Sequence, residues 1–522
     1  MRSSPSPLTT PSGSERTPSF VCEVPLRVTP AQARILNTRL NAARQLYNAC
    51  LSEALKRARL LQERRAYQQA QRMPQGKERT EAFRTVRQSM AFTDAALQRY
   101  AVRVRQHAFR EHLDVHVAQK LASRAFAAVH AWLLGQRGRP RFKGSRQLDT
   151  VEGKSNHAGI CWRDDRVEWR GLSLPASLDP RDPVIAHALA SRVKYVRLVR
   201  RKGGGRDRFY AQLVCEGVPY RKPQHAIGDG EVGLDIGPST IAVVGAQAAW
   251  LEPFCAAVIR KHRAIRRRQR KLDRQRRANN PEHFLPDGRV KPGPKRWVKS
   301  ARQRRTEQEL ADLFRREAAH RKTLHGQLAH RVLAIGRVIK TEKLSYHAMQ
   351  RQYGRSVGVR APGLFLAILR RKAASAGGRV IEFPTRPTKL SQVCHGCGRV
   401  QKKPLSQRIH ACACGVEMQR DLYSAFLAWC VGEDHRLHAG LAHERWPGAE
   451  PLLRAAWSAA TQPARGRTWR PSAFGAPPRS QSGSPAQEGT AQAEAPDGVA
   501  VAPAAGESRG EVAVVPLRTP RL

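Results

Sequence analysis

The stretch VGLDIGPSTIAVV, residues 232–244, contains two apolar runs joined by a Gly-Pro-Ser turn. Short apolar runs bounded by turn residues predict two strands. Asp235 lies inside the first run, where a carboxylate is costly to bury unless it is paired, hydrogen-bonded or bound to a metal ion. Asp235 is therefore a candidate metal ligand, and a turn-stabilising role is the alternative when the residue is taken alone.

Two further carboxylates stand at the ends of predicted elements. Glu342 closes a short strand that begins at Val338, and Asp421 directly precedes the helical segment LYSAFLAW, residues 422–429. Taken alone, Asp421 could simply be the N-cap of that helix. Together, in the order strand, later strand and helix start, the three carboxylates offer the hard oxygen ligands that two Mg²⁺ or Mn²⁺ ions need to hold a scissile phosphate.

Four of the ten cysteines are clustered in two close pairs, Cys394 with Cys397 and Cys412 with Cys414. Two such pairs predict a zinc ribbon, a structural site with four thiolate ligands, whereas a redox role would need a single CxxC. Because the second pair is one residue tighter than CxxC, His410 is an alternative ligand in place of Cys412. The other six cysteines are scattered and are predicted to be small core residues.

The chain is strongly basic, with 93 Lys and Arg against 42 Asp and Glu among 522 residues and a formal net charge of +51. Such an excess repels itself unless a polyanion neutralises it, so the predicted partner is nucleic acid. No run approaches the ~18 apolar residues of a membrane span. The N-terminus lacks the apolar core of a secretory signal, which predicts a cytoplasmic, nucleoid-associated protein without disulfides.

Between two tails poor in aromatic residues, the pattern of the chain changes twice. Residues 1–18 and roughly 460–522 are rich in Pro, Ala, Gly and Ser and are predicted to be disordered. A strand at Phe20–Val28 precedes a helical region that extends to about Leu134, and short β segments follow. From Glu231 onward, strands alternate with helices, which indicates an α/β domain.

Over roughly residues 20–435 the chain resembles the TnpB proteins of bacterial insertion sequences and the compact type V CRISPR effectors related to them. The cysteine ribbon falls just before the third nuclease motif, as it does in that family. The segments that carry the resemblance are Gly233–Gly237, Ile339–Leu344 and Arg420–Ala425, similar to the three RuvC motifs, and upstream Thr29–Gln32, Leu46–Asn48 and Arg139–Gly144.

The resemblance implies a multidomain fold of α/β and α+β type. A β-barrel wedge domain with a helical recognition insertion would precede a ribonuclease H-like (RuvC) nuclease domain that carries the zinc ribbon. The implied boundaries are a disordered tail at 1–18, the wedge at 19–30 and 138–225, the helical insertion at 31–137, the nuclease at 226–390 and 416–435, the ribbon at 391–415, and a mostly disordered tail at 436–522.

The resemblance also implies the function, an RNA-guided DNA endonuclease encoded by a transposable element. Asp235, Glu342 and Asp421 would bind Mg²⁺ or Mn²⁺ and cut, while a guide RNA pairs with the target DNA. The basic residues would hold the phosphates of the heteroduplex. The helix around Arg266–Arg277 would take part in this contact, and a solvated helix face is its alternative.

Three departures from the family pattern accompany this resemblance. Lys343 stands where the family usually has Asp, Tyr423 stands where it has Asn, and the second cysteine pair is one residue short. None of them removes a candidate metal-binding carboxylate, so cleavage is expected. Two alternatives stay open, a compact type V CRISPR effector and a guided DNA-binding repressor with little cleavage. No tyrosine or serine nucleophile motif supports a DNA-strand transferase.

Overall fold

The computed structural model describes residues 17–404 and 406–462, without the side chains of residues 259–261. The predicted tail at 1–18 and the part of the predicted C-terminal tail beyond residue 462 therefore lie outside the described residues, apart from two residues at the N-terminal boundary. None of the helices in the described ranges is long and apolar enough to cross a membrane.

The N-terminal half begins with a strand that is followed by five consecutive helices. The strand, β1, covers Ser19–Pro25. The helices are α1 (Pro30–Glu63), α2 (Arg65–Arg72), α3 (Lys77–Ser89), α4 (Asp94–Ala108) and α5 (Val115–Leu133).

Hydrogen bonds between Thr29 and Gln32 fix the start of helix α1. The Thr29 side chain accepts a hydrogen bond from the Gln32 backbone N–H (3.2 Å), and the Gln32 side chain accepts one from the Thr29 N–H (3.0 Å). This capping box satisfies two amides that would otherwise lack partners, and Pro30 fits the first helical position. The apolar residues at helical spacing, such as Leu36 and Leu40, are fully buried in the core between the helices and the following strands.

Strands of the N-terminal half form two antiparallel sheets, one of four strands in the order β1-β7-β6-β2 and one of three in the order β3-β4-β5. An isolated bridge between Leu26 and Ala176 connects them. A closed barrel stays a prediction. The elements are β2 (Thr150–Glu152), β3 (Cys161–Arg163), β4 (Arg166–Trp169), β5 (Leu172–Pro175), α6 (Pro183–Leu189), β6 (Val193–Gly203) and β7 (Arg206–Glu216).

The C-terminal half is built on a mixed five-stranded sheet in the order β10-β9-β8-β11-β12. Strands β8, β11 and β12 are parallel, and β9 and β10 are antiparallel to their neighbours. The elements up to the last of these strands are β8 (Gly230–Ile236), β9 (Thr240–Gly245), β10 (Ala249–Pro253), α7 (Ala257–Asn279), a 3₁₀ turn (Pro281–His283), α8 (Ala301–Ile335), β11 (Gly336–Glu342), α9 (Tyr346–Arg360), α10 (Pro362–Ser375) and β12 (Arg379–Phe383).

A small hairpin and two helices complete this half. The hairpin strands are antiparallel and lead directly into the next helix. These elements are α11 (Thr385–Thr388), β13 (Ile409–Ala411), β14 (Glu417–Gln419), α12 (Arg420–Trp429) and α13 (Ala439–Thr461).

Helices cover both faces of the five-stranded sheet. One face packs Val232, Leu234 and Ile236 of β8 against apolar residues of α8 and α10. The other face packs Ala242 and Val244 of β9 against α12 and α13. Because successive side chains of a strand alternate between faces, Gly233 and Asp235 belong to the face that α12 covers.

Helix α12 lies directly on β8 at Gly233. A Cβ atom at this position would stand 1.9 Å from the carbonyl oxygen of Ala425 and 2.5 Å from the backbone nitrogen of Trp429. No side chain fits in that space, so glycine is required by the close approach of two backbones. This contact fixes the height of α12 above the sheet.

Part of the segment from residue 436 that was predicted to be a mostly disordered tail is helical. Helix α13 occupies Ala439–Thr461 in spite of Pro447 and Pro451 inside it. Its apolar residues, among them Leu453 and Trp457, are buried in the same core as α12. The resemblance ended at about residue 435 and so implied a tail from residue 436, whereas packing against the sheet stabilises the helix.

We expect Gly233→Ala to destabilise the protein by about 3 kcal/mol or more, since the added methyl group would force α12 off the sheet. Gly326→Ala is the matched control, because Gly326 lies within α8 and a Cβ there meets nothing within 4 Å. The control should be neutral or stabilising by about 0.5–1 kcal/mol. Denaturant unfolding measures both, and equal midpoints for the two variants would contradict the close approach.

Candidate active site and metal centre

Asp235 and Glu342 lie at the same edge of the five-stranded sheet. Strands β8 and β11 are parallel, with Leu234 opposite Thr341, so Asp235 and Glu342 are the next residues along the two strands. The carboxyl ends of adjacent parallel strands meet at one edge, which is where α/β proteins generally bind ligands. The sheet thus brings together two carboxylates that are more than 100 residues apart in the sequence.

Asp421 reaches this edge from the first turn of α12. It is only 7% exposed, and its Oδ2 accepts a hydrogen bond of 2.8 Å from the Thr240 hydroxyl at the start of β9. The helix is capped by Gln419, whose Oε1 accepts the Leu422 backbone N–H at 2.8 Å. The N-cap interpretation of Asp421 is therefore wrong, because Gln419 performs that function.

The environment of Asp235 and Glu342 disfavours their negative charges. Burial raises the pKa of Asp235 well above its usual value, and the charges of Asp421 and Glu342 raise it further, while Arg420 opposes them. Burial raises the pKa of Glu342 to about 7. Among the described residues, Arg420 is the one positive charge that lowers the pKa of Asp235, and none lowers that of Glu342. A bound cation would supply the missing positive charge, and the all-oxygen donor set fits Mg²⁺ or Mn²⁺.

Sequence reasoning missed two residues that organise this edge, Thr240 and Gln419. Thr240 follows the tight turn in which the Gly237 N–H donates to the Thr240 carbonyl oxygen (3.0 Å). A threonine just after a glycine turn between two apolar strands was the available signal for it. Gln419 offered no local signal, because glutamine is an unusual N-cap residue.

Lys343, one of the departures from the family pattern, lies outside the group of three carboxylates. Its side chain is exposed, and its backbone N–H donates to the Phe383 carbonyl oxygen at 2.8 Å, extending the pairing of β11 with β12. Lys343, in place of the family's Asp, therefore does not neutralise the carboxylates at the sheet edge.

The four predicted cysteines come together beside the start of α12. The Sγ atoms of Cys394, Cys397, Cys412 and Cys414 all lie within 4.8 Å of one another, with 3.5 Å between Cys394 and Cys414 and 3.4 Å between Cys397 and Cys412. Among the described residues no other potential ligand atoms, those of Asp235, Glu342 and Asp421 included, are drawn together in this way. Sulfur atoms at these separations fit a tetrahedral zinc site with ~2.3 Å bonds.

Backbone turns shape both cysteine loops. The Gly398 N–H donates to the Cys394 carbonyl oxygen (2.9 Å), and the Gly415 N–H donates to the Cys412 carbonyl oxygen (3.0 Å). Gly398 and Gly415 have φ of +69° and +92°, which favour glycine. The backbone N–H of Cys414, followed by the Cys397 thiol, lowers the pKa of Cys412 to about 6, so this sulfur is predisposed to be a thiolate.

His410 does not belong to the cysteine group. Its ring is buried, its Nδ1 lies 2.6 Å from the Lys403 Nζ, and its centroid lies 4.1 Å from that of Tyr423. The structure therefore favours Cys412 over His410 as the fourth potential ligand.

One family model matches this part of the chain. Residues 363–427 match the model described as the Cas12f1-like TNB domain. This segment is Cas12f1-like. It extends from α10 into α12 and contains both the four cysteines and Asp421. The resemblance to TnpB proteins and compact type V effectors predicted from the sequence is confirmed over these residues, whereas no curated protein matches the chain.

Solved structures give a weaker likeness over a longer range. A Cas12f1–sgRNA–target DNA complex, determined by electron cryomicroscopy, aligns with 78% of this chain and 98% of its own chain, at 12% identity and a TM-score of 0.42. A CRISPR-Cas12f ternary complex aligns with 76% of this chain and 81% of its own, at 12% identity and a TM-score of 0.28. The family-model match, rather than these alignments, supports the resemblance.

We expect Glu342→Gln to stabilise the metal-free protein above neutral pH. Because burial raises the folded-state pKa of Glu342 from 4.5 to about 7, the stability that its protonated form contributes is complete below pH 4.5 and is lost as the pH rises through about 7. Glutamine stays neutral, so the variant should melt about 2–4 °C higher at pH 8 in EDTA.

The increase in melting temperature of Glu342→Gln should disappear at pH 4.5, where the wild-type carboxyl is already protonated. Glu111→Gln, an exposed carboxylate outside the sheet edge, is the control and should change the melting temperature at neither pH. A Glu342→Gln variant that melts like the wild type at pH 8 would mean that the Glu342 carboxylate is not desolvated.

Proposed function

We propose that this chain is an RNA-guided, divalent-metal-dependent DNA endonuclease of the TnpB and compact type V effector kind. The observation that carries the proposal is the group of three carboxylates at one sheet edge, with Asp421 buried and Asp235 and Glu342 half-buried, where Arg420 only partly offsets their charge. Buried charge of one sign is retained only at a cost to stability, and a metal site explains that cost.

In the proposed mechanism Asp235, Glu342 and Asp421 would hold two Mg²⁺ or Mn²⁺ ions, which would supply the charge needed to activate the attacking water and to stabilise the leaving oxygen. Thr240 occupies one oxygen of Asp421, Oδ2, and so leaves Oδ1 available. Since Asp235 and Glu342 hold protons more tightly than usual, ion binding must displace those protons, and the apparent affinity for the ion should rise with pH.

The fold supports this assignment in its general plan. We propose that the mixed five-stranded sheet, with three parallel strands at one side and two antiparallel strands at the other, is a ribonuclease H-like nuclease domain. The hairpin β13–β14 with the preceding cysteine loop would be a zinc ribbon, and the N-terminal half would be the wedge domain with its recognition helices.

Guide RNA and target DNA are the proposed partners because the charge of the chain needs a polyanion. Helix α7 supports this with exposed arginines along its length, including Arg263, Arg266, Arg267 and Arg270. Arg268 and Arg277 of the same helix are already occupied in ion pairs with Glu309 and Asp273. The four exposed arginines named above are available to phosphates, whose binding releases counterions. A cytoplasmic, nucleoid-associated location follows from these partners.

Two related functions remain as alternatives. A compact type V CRISPR effector would use the same residues, and the family-model description is as compatible with it as with a transposon-encoded enzyme. A guided repressor that binds without cutting is disfavoured, because such a protein would gain stability by losing its unpaired carboxylates, and this chain retains all three.

We expect Asp235→Ala, Glu342→Ala and Asp421→Ala each to reduce Mg²⁺-dependent cleavage of a guide-matched plasmid by about 10²–10³-fold or more, because each removes part of the charge stabilisation at the phosphate. Guided DNA binding, measured in EDTA, should stay nearly unchanged, since phosphate contacts elsewhere dominate affinity. Glu111→Ala is the matched control. Full cleavage by any one of the three variants would remove that residue from the site.

A further inference from the structure

Tyr423 connects the first cysteine loop to the helix that carries Asp421. The backbone N–H of His395, between Cys394 and Cys397, donates to the Tyr423 hydroxyl at 2.9 Å, and the His395 Nδ1 lies 2.8 Å from the same oxygen. Tyr423 is 1% exposed and stands two residues after Asp421 in the first turn of α12. One side chain thus joins the cysteine loop to the candidate active site.

Both sides of the Tyr423 ring are held by the ribbon and by α13. The ring of His410, in the strand that leads to the second cysteine pair, lies 4.1 Å away between centroids. Trp446 of α13 packs at 4.6 Å against the His395 ring and at 5.9 Å against Tyr423. The hydroxyl contacts are therefore made in a rigid, desolvated setting, where a hydrogen bond is costly to leave unmade.

The two cysteine pairs reach the start of α12 by different routes. The second pair is continuous with it, because β14 leads into α12 without a linker and Cys414 precedes Asp421 by seven residues. The first pair lies more than 20 residues upstream and contacts the helix through His395 and Tyr423. Both routes converge on the turn that contains Asp421.

A purely packing role for Tyr423 accounts for the ring but not for the hydroxyl. Phenylalanine would fill the same space and would leave the His395 backbone N–H and Nδ1 without this partner. Tyrosine is also the residue that replaces the Asn of the related family at this position. Packing therefore accounts for the Tyr423 ring, whereas its hydroxyl needs a separate role.

We propose that Tyr423 is a positioning residue that makes the placement of Asp421 depend on the occupancy of the cysteine cluster. The inference rests on the proposed function, in which Asp421 is a metal ligand. Without a cation the four sulfur atoms lose what holds them together, and the loop that contains His395 opens. Tyr423 then loses its partner, and the first turn of α12 loosens beside Asp421.

Hydrogen exchange of the amides at residues 422–424 tests the connection directly. The full chain is compared with zinc bound, at about one ion per chain, and after removal of zinc by a chelator. In the wild type, zinc removal should speed exchange about fivefold, the factor that corresponds to one hydrogen bond of ordinary net strength. In Tyr423→Phe, exchange should already be about fivefold faster with zinc bound, and zinc removal should add little.

Tyr67→Phe is the matched control, since Tyr67 is a buried tyrosine of α2 in the N-terminal half, and it should behave as the wild type. His395→Ala is a second variant in case Tyr423→Phe does not fold. It removes the Nδ1 contact and keeps the backbone donor, so it should shift exchange in the same direction by a smaller factor. The proposal is overturned if zinc removal leaves the exchange unchanged, or speeds it equally in the wild type and Tyr423→Phe.

Calorimetric titration with Mn²⁺ separates this inference from the proposed function. Zinc removal should weaken Mn²⁺ binding in the wild type, and Tyr423→Phe should bind as weakly with zinc as without it, because coupling between sites is reciprocal. If Asp235→Ala binds Mn²⁺ as well as the wild type does, the proposed metal site is wrong. The exchange data then still decide whether Tyr423 transmits the state of the cysteine cluster.

Discussion

The close contact between the backbone of α12 and β8 at Gly233 determines where the candidate site can form. It places the first turn of the helix beside the carboxyl end of the strand, so that Asp421 meets Asp235 and Glu342 at one edge. The hydrogen bond from Thr240 then fixes the Asp421 carboxylate. A side chain at position 233 would separate the two layers and with them the three carboxylates.

The same contact brings together the carboxylates of Asp235, Glu342 and Asp421, whose negative charges are not fully neutralised by the protein. Apolar packing on both faces of the sheet stabilises the fold, and the desolvated carboxylates at its edge offset part of that stabilisation. The cysteine group beside α12 is comparable, since its four sulfur atoms could hold a cation. Two proposed metal sites therefore flank the first turn of one short helix.

Sequence patterns predict the parts of this structure that depend on local order. The turn after Gly237 and the paired cysteines are short-range features, and the structure contains both. Gln419 caps α12 through a local hydrogen bond, but glutamine is an unusual N-cap residue and gave no signal. The proline-containing helix α13 depends on long-range packing, so no local pattern indicated it. The convergence of the carboxylates could be predicted only from the resemblance.

The most direct test of the central claim is cleavage of one plasmid by the purified chain with Mg²⁺ and either RNA from its own locus or a scrambled guide. We expect cleavage only with the locus RNA and only where the plasmid is complementary to it, with mismatches beside the target-adjacent motif tolerated least, since pairing begins there. Equal cleavage with both RNAs would contradict the account, because it would mean a metal-dependent nuclease that no guide directs.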